Sequence, residues 1–279
     1  MLNDTHMHCC FSGDSEANPE DMIEAAIQKG LDGLCFTDHF DYDYPDDPEL
    51  FLLDFSSYKK KIFSLKEKYK DKCNIRWGIE IGLQPHIVQV NNDVTAKYPF
   101  DFVIGSSHVV HGIDPYYPHY YDGRSEDEAY REYFESILEN LHTNVDFDVY
   151  GHIDYIFRYG PVNAPSDAFQ KVNSELFETK YFSRFKDILH EILKTIILKG
   201  KGIEINTGSL YRDLDYMHPH PLILSMYKEL RGEILTIGSD AHDLEHIGYG
   251  FDEAAELARS FGFKYLTTFK EMKPEWHTL

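Results

Sequence analysis

The sequence predicts an α/β protein whose short parallel strands, roughly seven of them, close into a (β/α) barrel of the TIM type with a metal site at its C-terminal rim. Three observations carry that prediction. Short apolar runs alternate with helix-period segments along the chain. Its 279 residues suit one barrel domain, commonly about 250 residues long, and no linker, repeat or low-complexity tract divides 1–279. Nearly every apolar run ends on a His, Asp or Glu. In an open sheet, ligands gather at one switch point and come from few strands. Donors at the ends of the first through the last strand meet only if the sheet shuts on itself.

Residues 2–8 form the first strand, where His6 and His8 share a face because side chains alternate with period two. Asn18 as N-cap, Pro19 at the first helical position and Gly30 as stop bracket a helix with Met22, Ala25, Ala26 and Ile27 toward the core. Residues 31–37 are the next strand, delivering Asp38 and His39. Residues 40–54, acidic and rich in Tyr and Pro, read as a long loop of the kind that covers functional sites. Ser56 or Ser57 caps a basic helix with Ile62, Leu65 and Tyr69 on one face. The strand over 75–79 ends on Glu80, and that over 100–104 reaches His108.

A Tyr-, Pro- and His-containing loop over 114–123 precedes Ser125 and Glu128, a capping box for the helix carrying Tyr133, Phe134, Ile137, Leu138 and Leu141. Residues 146–150 form a strand ending on His152. Ile188, Leu189, Ile192, Leu193 and Ile196 mark the clearest helix, closed by Gly200. The strand over 202–205 reaches Asn206, and the one over 233–237 leads to Asp240 and His242. An Ala- and Leu-rich helix over 253–261 and a short strand at 265–267 finish the chain.

The formal net charge of −21 disfavours nucleic acid and anionic membrane surfaces, which reward basic patches. Four cysteines without CxxC spacing point to a reducing compartment rather than a disulfide framework. With no signal-peptide pattern and no long apolar run, the expected location is the cytoplasm. The charge and length leave monomer and homo-oligomer equally open.

The metal candidates are His6, His8, Asp14, His39, Glu80, His108, His152, Asp240 and His242. A single strand-end His is more often structural than a ligand. Six imidazoles and three carboxylates on one rim are another matter: they exceed one tetrahedral ion and suit at least two of Zn, Mn or Fe. Arg158, six residues beyond His152, is the preferred phosphate clamp because a guanidinium fork matches phosphate. His111, Asn206, Tyr117 and Arg124 are further substrate-binding candidates, and Asp41, Asp43, Asp46 and Asp47 offer an acidic loop for a cationic amine.

Six segments carry a family resemblance: His6-Met7-His8, Thr37-Asp38-His39, Gly78-Ile79-Glu80, Ser107-His108, Gly151-His152-Ile153-Asp154 and Ser239-Asp240-Ala241-His242. In that order they resemble the motifs of the PHP (polymerase and histidinol phosphatase) superfamily of metal hydrolases. The stretch 148–160 and Glu204-Ile205-Asn206-Thr207 are similar to its histidinol-phosphatase branch. The resemblance implies a distorted seven-stranded barrel holding three divalent ions. One would be bound by His6, His8, Glu80 and Asp240, a second by Glu80, His108 and His152, and a third by Asp14, His39 and His242. Asp14 stands where many relatives carry His.

The resemblance further implies hydrolysis of L-histidinol phosphate to L-histidinol and phosphate in histidine biosynthesis. On this reading a metal-bridging hydroxide attacks without a phospho-enzyme, Glu80 bridges two ions, and Asp240, His242 and Arg158 complete the catalytic set. The alternatives are a phosphoesterase or nuclease acting on another phosphorylated substrate, and a non-catalytic metal-binding module. The acidic charge opposes a nuclease, and the intact donor set opposes the binding module.

Overall fold

Parallel pairing runs β1 (Asn3–Asp4), β2 (Gly33–Phe36), β4 (Asn74–Gly82), β5 (Phe102–Ser106), β6 (Val149–Tyr150), β7 (Gly202–Asn206) and β8 (Leu235–Gly238) into a nearly closed barrel, with β3 (His39–Phe40) beside β4. The computed structural model describes residues 2–45, 47–163 and 172–279. Strands β2 and β3 are two pieces of one strand, since Phe36 faces Trp77 and His39 faces Glu80 in the same register. Seven strand positions therefore line the barrel, as the sequence predicts. The break at Thr37 and Asp38 is held open by Asp38, whose carboxylate accepts from the Cys9 amide at 2.8 Å and the Ser12 hydroxyl at 3.1 Å.

Closure comes from the irregular extension of β1 past Asp4. The Thr5 amide donates to Ile237, the Asp240 amide to His6 and the His8 amide to Ala241, at 3.1, 2.8 and 2.8 Å. His6 and His8 are thus seamed to the segment that carries Asp240 and His242. Gly238 makes the seam possible: a Cβ there would collide with His6 Cβ and Glu204 Oε1.

Around the barrel lie α1 (Pro19–Gln28), α2 (Phe55–Tyr69), α3 (Val88–Lys97), α4 (Glu126–His142), α5 (Ile156–Asn163), the single turn α6 (Ser174–Leu176), α7 (Phe182–Leu198), α8 (Pro221–Glu229) and α9 (Phe251–Ser260). Local chemistry sets their ends. Asn18 accepts from the Glu20 amide, Asp54 rather than a serine caps α2, and Ser125 and Glu128 form both halves of a capping box. Gly200 stops α7 at φ 69°. The buried stripe of α7 is Phe185, Ile188, Leu189, Ile192, Leu193 and Ile196. None of the described helices is long and apolar enough to cross a membrane.

Several elements differ from the sequence reading. Helices α3, α5, α6 and α8 are not part of it. Residues 265–267 are not a barrel strand. They open β9 (Tyr265–Lys270), which pairs antiparallel with β10 (Lys273–Thr278). Phe269 on β9 stacks on Phe102 at 5.0 Å and joins Cys35, Ile104 and Val149 in an apolar plug. The plug closes the barrel end opposite the metal-type residues, so one end is oil-like and the other polar.

Candidate active site

Glu80 stands at the centre of the polar end. Its side chain points inward, fully buried, between Ile79 and Ile81, which point outward. Glu80 Oε2 lies 3.3 Å from His6 Nε2, 3.5 Å from His8 Nε2 and 3.0 Å from His39 Nδ1. Glu80 Oε1 lies 3.0 Å from His152 Nε2 and 3.3 Å from His108 Nε2. Asp240 Oδ1 approaches His6 and His8 Nε2 at 3.9 and 3.5 Å. Outside this cluster, Asp14 Oδ2 lies 3.1 Å from His242 Nε2 and 3.6 Å from His39 Nε2. All nine predicted metal-type residues therefore meet at one mouth. Sequence separations reach the 236 positions between His6 and His242.

The imidazoles are oriented from behind. Carboxylates only accept, so His6 Nδ1 donates to Glu204 Oε1 at 2.6 Å and His108 Nδ1 donates to Asp41 Oδ1 at 2.8 Å. In both, the remaining Nε2 faces Glu80. His6 Nε2 and His8 Nε2 are only 3.0 Å apart. Ring nitrogens aimed at each other and at shared carboxylate oxygens crowd acceptors together, and Glu80 Oε2 and His39 Nδ1, 3.0 Å apart, form no well-aligned hydrogen bond with each other or with any other group among the described residues. Neutral imidazoles and carboxylates converging in this way fit divalent cations. Three overlapping groups have donor atoms within 4.8 Å of one another: His6, His8 and Glu80; His39, Glu80 and His108; and His8, His39 and His242.

The side chains set one another's charge. Burial, reinforced by the His39 and His242 rings, holds His8 well below the ordinary imidazole range. Burial opposes a charge on His6 as well, but Glu204 and Glu80 outweigh it and hold that ring well above the range. Burial would raise Glu80, yet His6, His108 and His39 overcome it and keep the carboxylate ionised. Asp240 sits at φ 56°, a left-handed conformation costing about 1–2 kcal/mol for most residues but tolerated by Asp. The turn aims Oδ1 at the histidines while Oδ2 faces Arg212 at 3.1 Å and Arg158 at 3.4 Å.

A cavity of about 330 Å³ opens over this mouth, within the usual size range of small-molecule sites. Asp14, His39, His108, His152, Asp240 and His242 form its floor. Arg158 and Tyr117, two of the substrate-binding candidates, line it. His111 and Arg124 do not: His111 is exposed between Glu132 and Glu139, and Arg124 is tied to Glu132. Asn206 is fully buried behind the site, donating to Glu204 and capping the turn at Gly208. The acidic loop divides as well. Asp41 turns inward to His108, Asp43 pairs with His86 on the surface, and Asp47 caps the exposed Glu49 amide. Asp46 lies outside the described residues. The loop is thus not a joint amine site, because its acids face in different directions.

Several residues to which the sequence reading gave no role of their own belong to the arrangement. Arg212 follows β7, so the strand-end rule applied to Arg as well as to His and Asp would have found it. Glu204 is a charge inside an apolar strand, a signal of inward burial. Tyr44, Asp114, Tyr155 and Tyr159 line the cavity from loops and α5, where no periodicity marks them.

The PHP domain model matches residues 4–208. The histidinol-phosphatase of Lactococcus lactis is 33% identical, the alignment covering 97% of this chain and 95% of that protein. A probable histidinol-phosphatase of Clostridium acetobutylicum is 34% identical over 95% of each. The crystal structure of the Lactococcus lactis histidinol phosphate phosphatase complexed with zinc, L-histidinol and phosphate superposes with a TM-score of 0.85 at 30% identity, covering 98% of both chains. A putative histidinol phosphatase from Listeria monocytogenes shares the fold, with a TM-score of 0.74 at 18% identity over 90% of this chain and 99% of that one. The barrel with its rim of imidazoles and carboxylates defines the class, and the chain belongs to the PHP family, in its histidinol-phosphatase branch.

Proposed function

We propose that this chain is a histidinol-phosphatase, a metal-dependent phosphomonoesterase releasing L-histidinol and phosphate from L-histidinol phosphate. The observation that carries the reading is the full-length likeness to the Lactococcus lactis enzyme joined to a small cavity floored by metal-type side chains and flanked by Arg158 and Arg212. The geometry supports three donor sets: His6, His8, Glu80 and Asp240; Glu80, His108 and His152; and Asp14, His39 and His242. We assign them three divalent ions, drawn from Zn, Mn and Fe. When bound, such ions supply what phosphate-monoester hydrolysis lacks in water, an acidified water molecule and positive charge against the phosphoryl oxygens.

The chain's own groups do the rest. Glu204 and Asp41 hold the Nδ1 protons of His6 and His108, which keeps both Nε2 atoms turned to the centre. Arg158 lies against the faces of Tyr155 and Tyr159, 5.3 and 5.8 Å from their centroids, so its fork enters the cavity in a fixed orientation. Arg158 and Arg212 present N–H groups where the phosphoryl oxygens would sit. The aromatic walls exclude bulk water, which strengthens each of these charge contacts.

The acidic chain takes a small phosphate ester rather than nucleic acid or a membrane, and the reaction belongs in the cytoplasm. The test is metal analysis with a substrate panel of histidinol phosphate, a second phosphomonoester and single-stranded DNA, on wild type and His152→Ala. Metal-dependent turnover of histidinol phosphate, lost in the variant, is expected. Activity on DNA alone, or none after metal reconstitution, would overturn the reading.

A further inference from the structure

Asp41 follows β3 and lies two residues beyond His39, so alternation puts both side chains on one face of the strand. Gly82 stands beside it on β4 and makes the space, because a Cβ there would collide with Asp41 Oδ1 and Cγ. The carboxylate, 2% exposed, therefore settles between two imidazoles that belong to different donor sets. Its Oδ1 accepts from His108 Nδ1 at 2.8 Å, and its Oδ2 faces His39 Nδ1 at 3.5 Å.

Asp41 Oδ2 and His39 Nδ1 are both buried, and neither has a hydrogen-bond partner among the described residues. The nearer neighbour of His39 Nδ1 is Glu80 Oε2 at 3.0 Å, but that oxygen also faces His6 and His8. It serves the first donor set, and an oxygen engaged with a cation is a poor acceptor for a ring proton. Asp41 Oδ2 is then the acceptor left to His39. The other ring nitrogen, His39 Nε2, faces Asp14 at 3.6 Å and so the third donor set. A carboxylate only accepts, so a proton on each Nδ1 leaves the Nε2 lone pairs of both rings free for cations. Leaving a buried donor and acceptor unpaired is costly, which favours the bond between them in a loaded site.

We propose that Asp41 is a positioning residue shared by His39 and His108, linking the ion assigned to His108 and His152 with the ion assigned to Asp14, His39 and His242. The proposal rests on the three-ion assignment above and goes beyond it, since one side chain sets the tautomer at two ions. The first donor set stands apart, because Glu204 holds His6.

The experiment titrates metal-free protein with Zn²⁺ against a chromophoric chelator and follows imidazole N–H resonances of the zinc-loaded protein by NMR. In wild type, three ions bind, and the Nδ1 protons of His6, His39 and His108 give downfield signals. In Asp41→Ala the His39 and His108 signals should vanish while that of His6 stays. Two ions should weaken together by roughly 10- to 100-fold, and one should keep its wild-type affinity. Asp41→Asn keeps the volume but has one acceptor oxygen, so it should lose one of the two signals and weaken one ion. Loss at His108 alone in Asp41→Ala, or equal weakening of all three ions, would overturn the link and leave the three-ion assignment standing. A wild type that binds fewer than three ions would overturn both.

Discussion

Glu204 Oε1 lies 2.6 Å from His6 Nδ1, and its other oxygen accepts from the His152 amide at 3.2 Å and the Asn206 side chain at 3.1 Å. One buried carboxylate therefore orients an imidazole and anchors the start of the loop that carries another. Partners of this kind typically contribute 10- to 100-fold to metal affinity. Glu204→Gln keeps the shape but removes the charge, and its single acceptor oxygen can serve either His6 Nδ1 or the His152 and Asn206 donors, not both. We expect metal affinity to fall roughly 10- to 100-fold, read by competition with a chromophoric chelator. Unaltered affinity would show that Glu204 only fills space.

Glu80 has no such substitute, because both of its oxygens face imidazoles. Glu80→Gln should lower bound metal measured by elemental analysis and reduce kcat by about 10³-fold or more, the scale associated with losing a dominant electrostatic element of a site. Chelation of wild type should mimic the loss, and readdition of Zn, Mn or Fe should reverse it only in wild type. Full activity in the variant would remove Glu80 from the centre of the mechanism.

Barrel closure and the nine converging residues were legible in the sequence for a physical reason. Strand ends are local, period-two patterns are short, and Glu80, His152 and Asp240 each follow an apolar run, while His6 and His8 share a face by alternation. Of the other residues lining the cavity, only Arg158 and Tyr117 were named from the sequence as substrate-binding candidates, because most of the lining comes from loops. His111 and Arg124 follow strand ends by number, but the chain turns them outward to Glu132 and Glu139. Arg212 and Asp114 enter the cavity through turns that no periodicity encodes. The hairpin of β9 and β10 was invisible because β10 is largely exposed, leaving little hydrophobic pattern to read.

Arg158 and Arg212 share Asp240 Oδ2 but differ in setting, Arg158 being buried against two tyrosines and Arg212 half-buried. Arg158→Lys keeps the charge and loses the fork. A bidentate phosphate contact predicts a drop in kcat/KM of about 10-fold or more for this variant, with weaker inhibition by inorganic phosphate. Arg212→Lys should lose less. Steady-state kinetics on both would decide it, and equal phosphate inhibition in wild type and Arg158→Lys would exclude Arg158 as the clamp.

Asp148 tests stability apart from catalysis. Its carboxyl is buried, 6% exposed, and accepts from the Val103 amide at 2.9 Å. Burial pushes its pKa from 3.8 up to about 7. The folded chain therefore keeps a proton that the unfolded chain has released, and this contribution to stability declines as pH rises from the unfolded value through about 7. Asparagine keeps the acceptor for Val103 without a charge to bury. Asp148→Asn should thus melt close to wild type at pH 4 and above it at pH 8. The gain should be on the order of 2–4 kcal/mol, or several degrees for a chain of this size. A difference in melting temperature that stays constant across that range would mean Asp148 is not the group whose proton the fold retains.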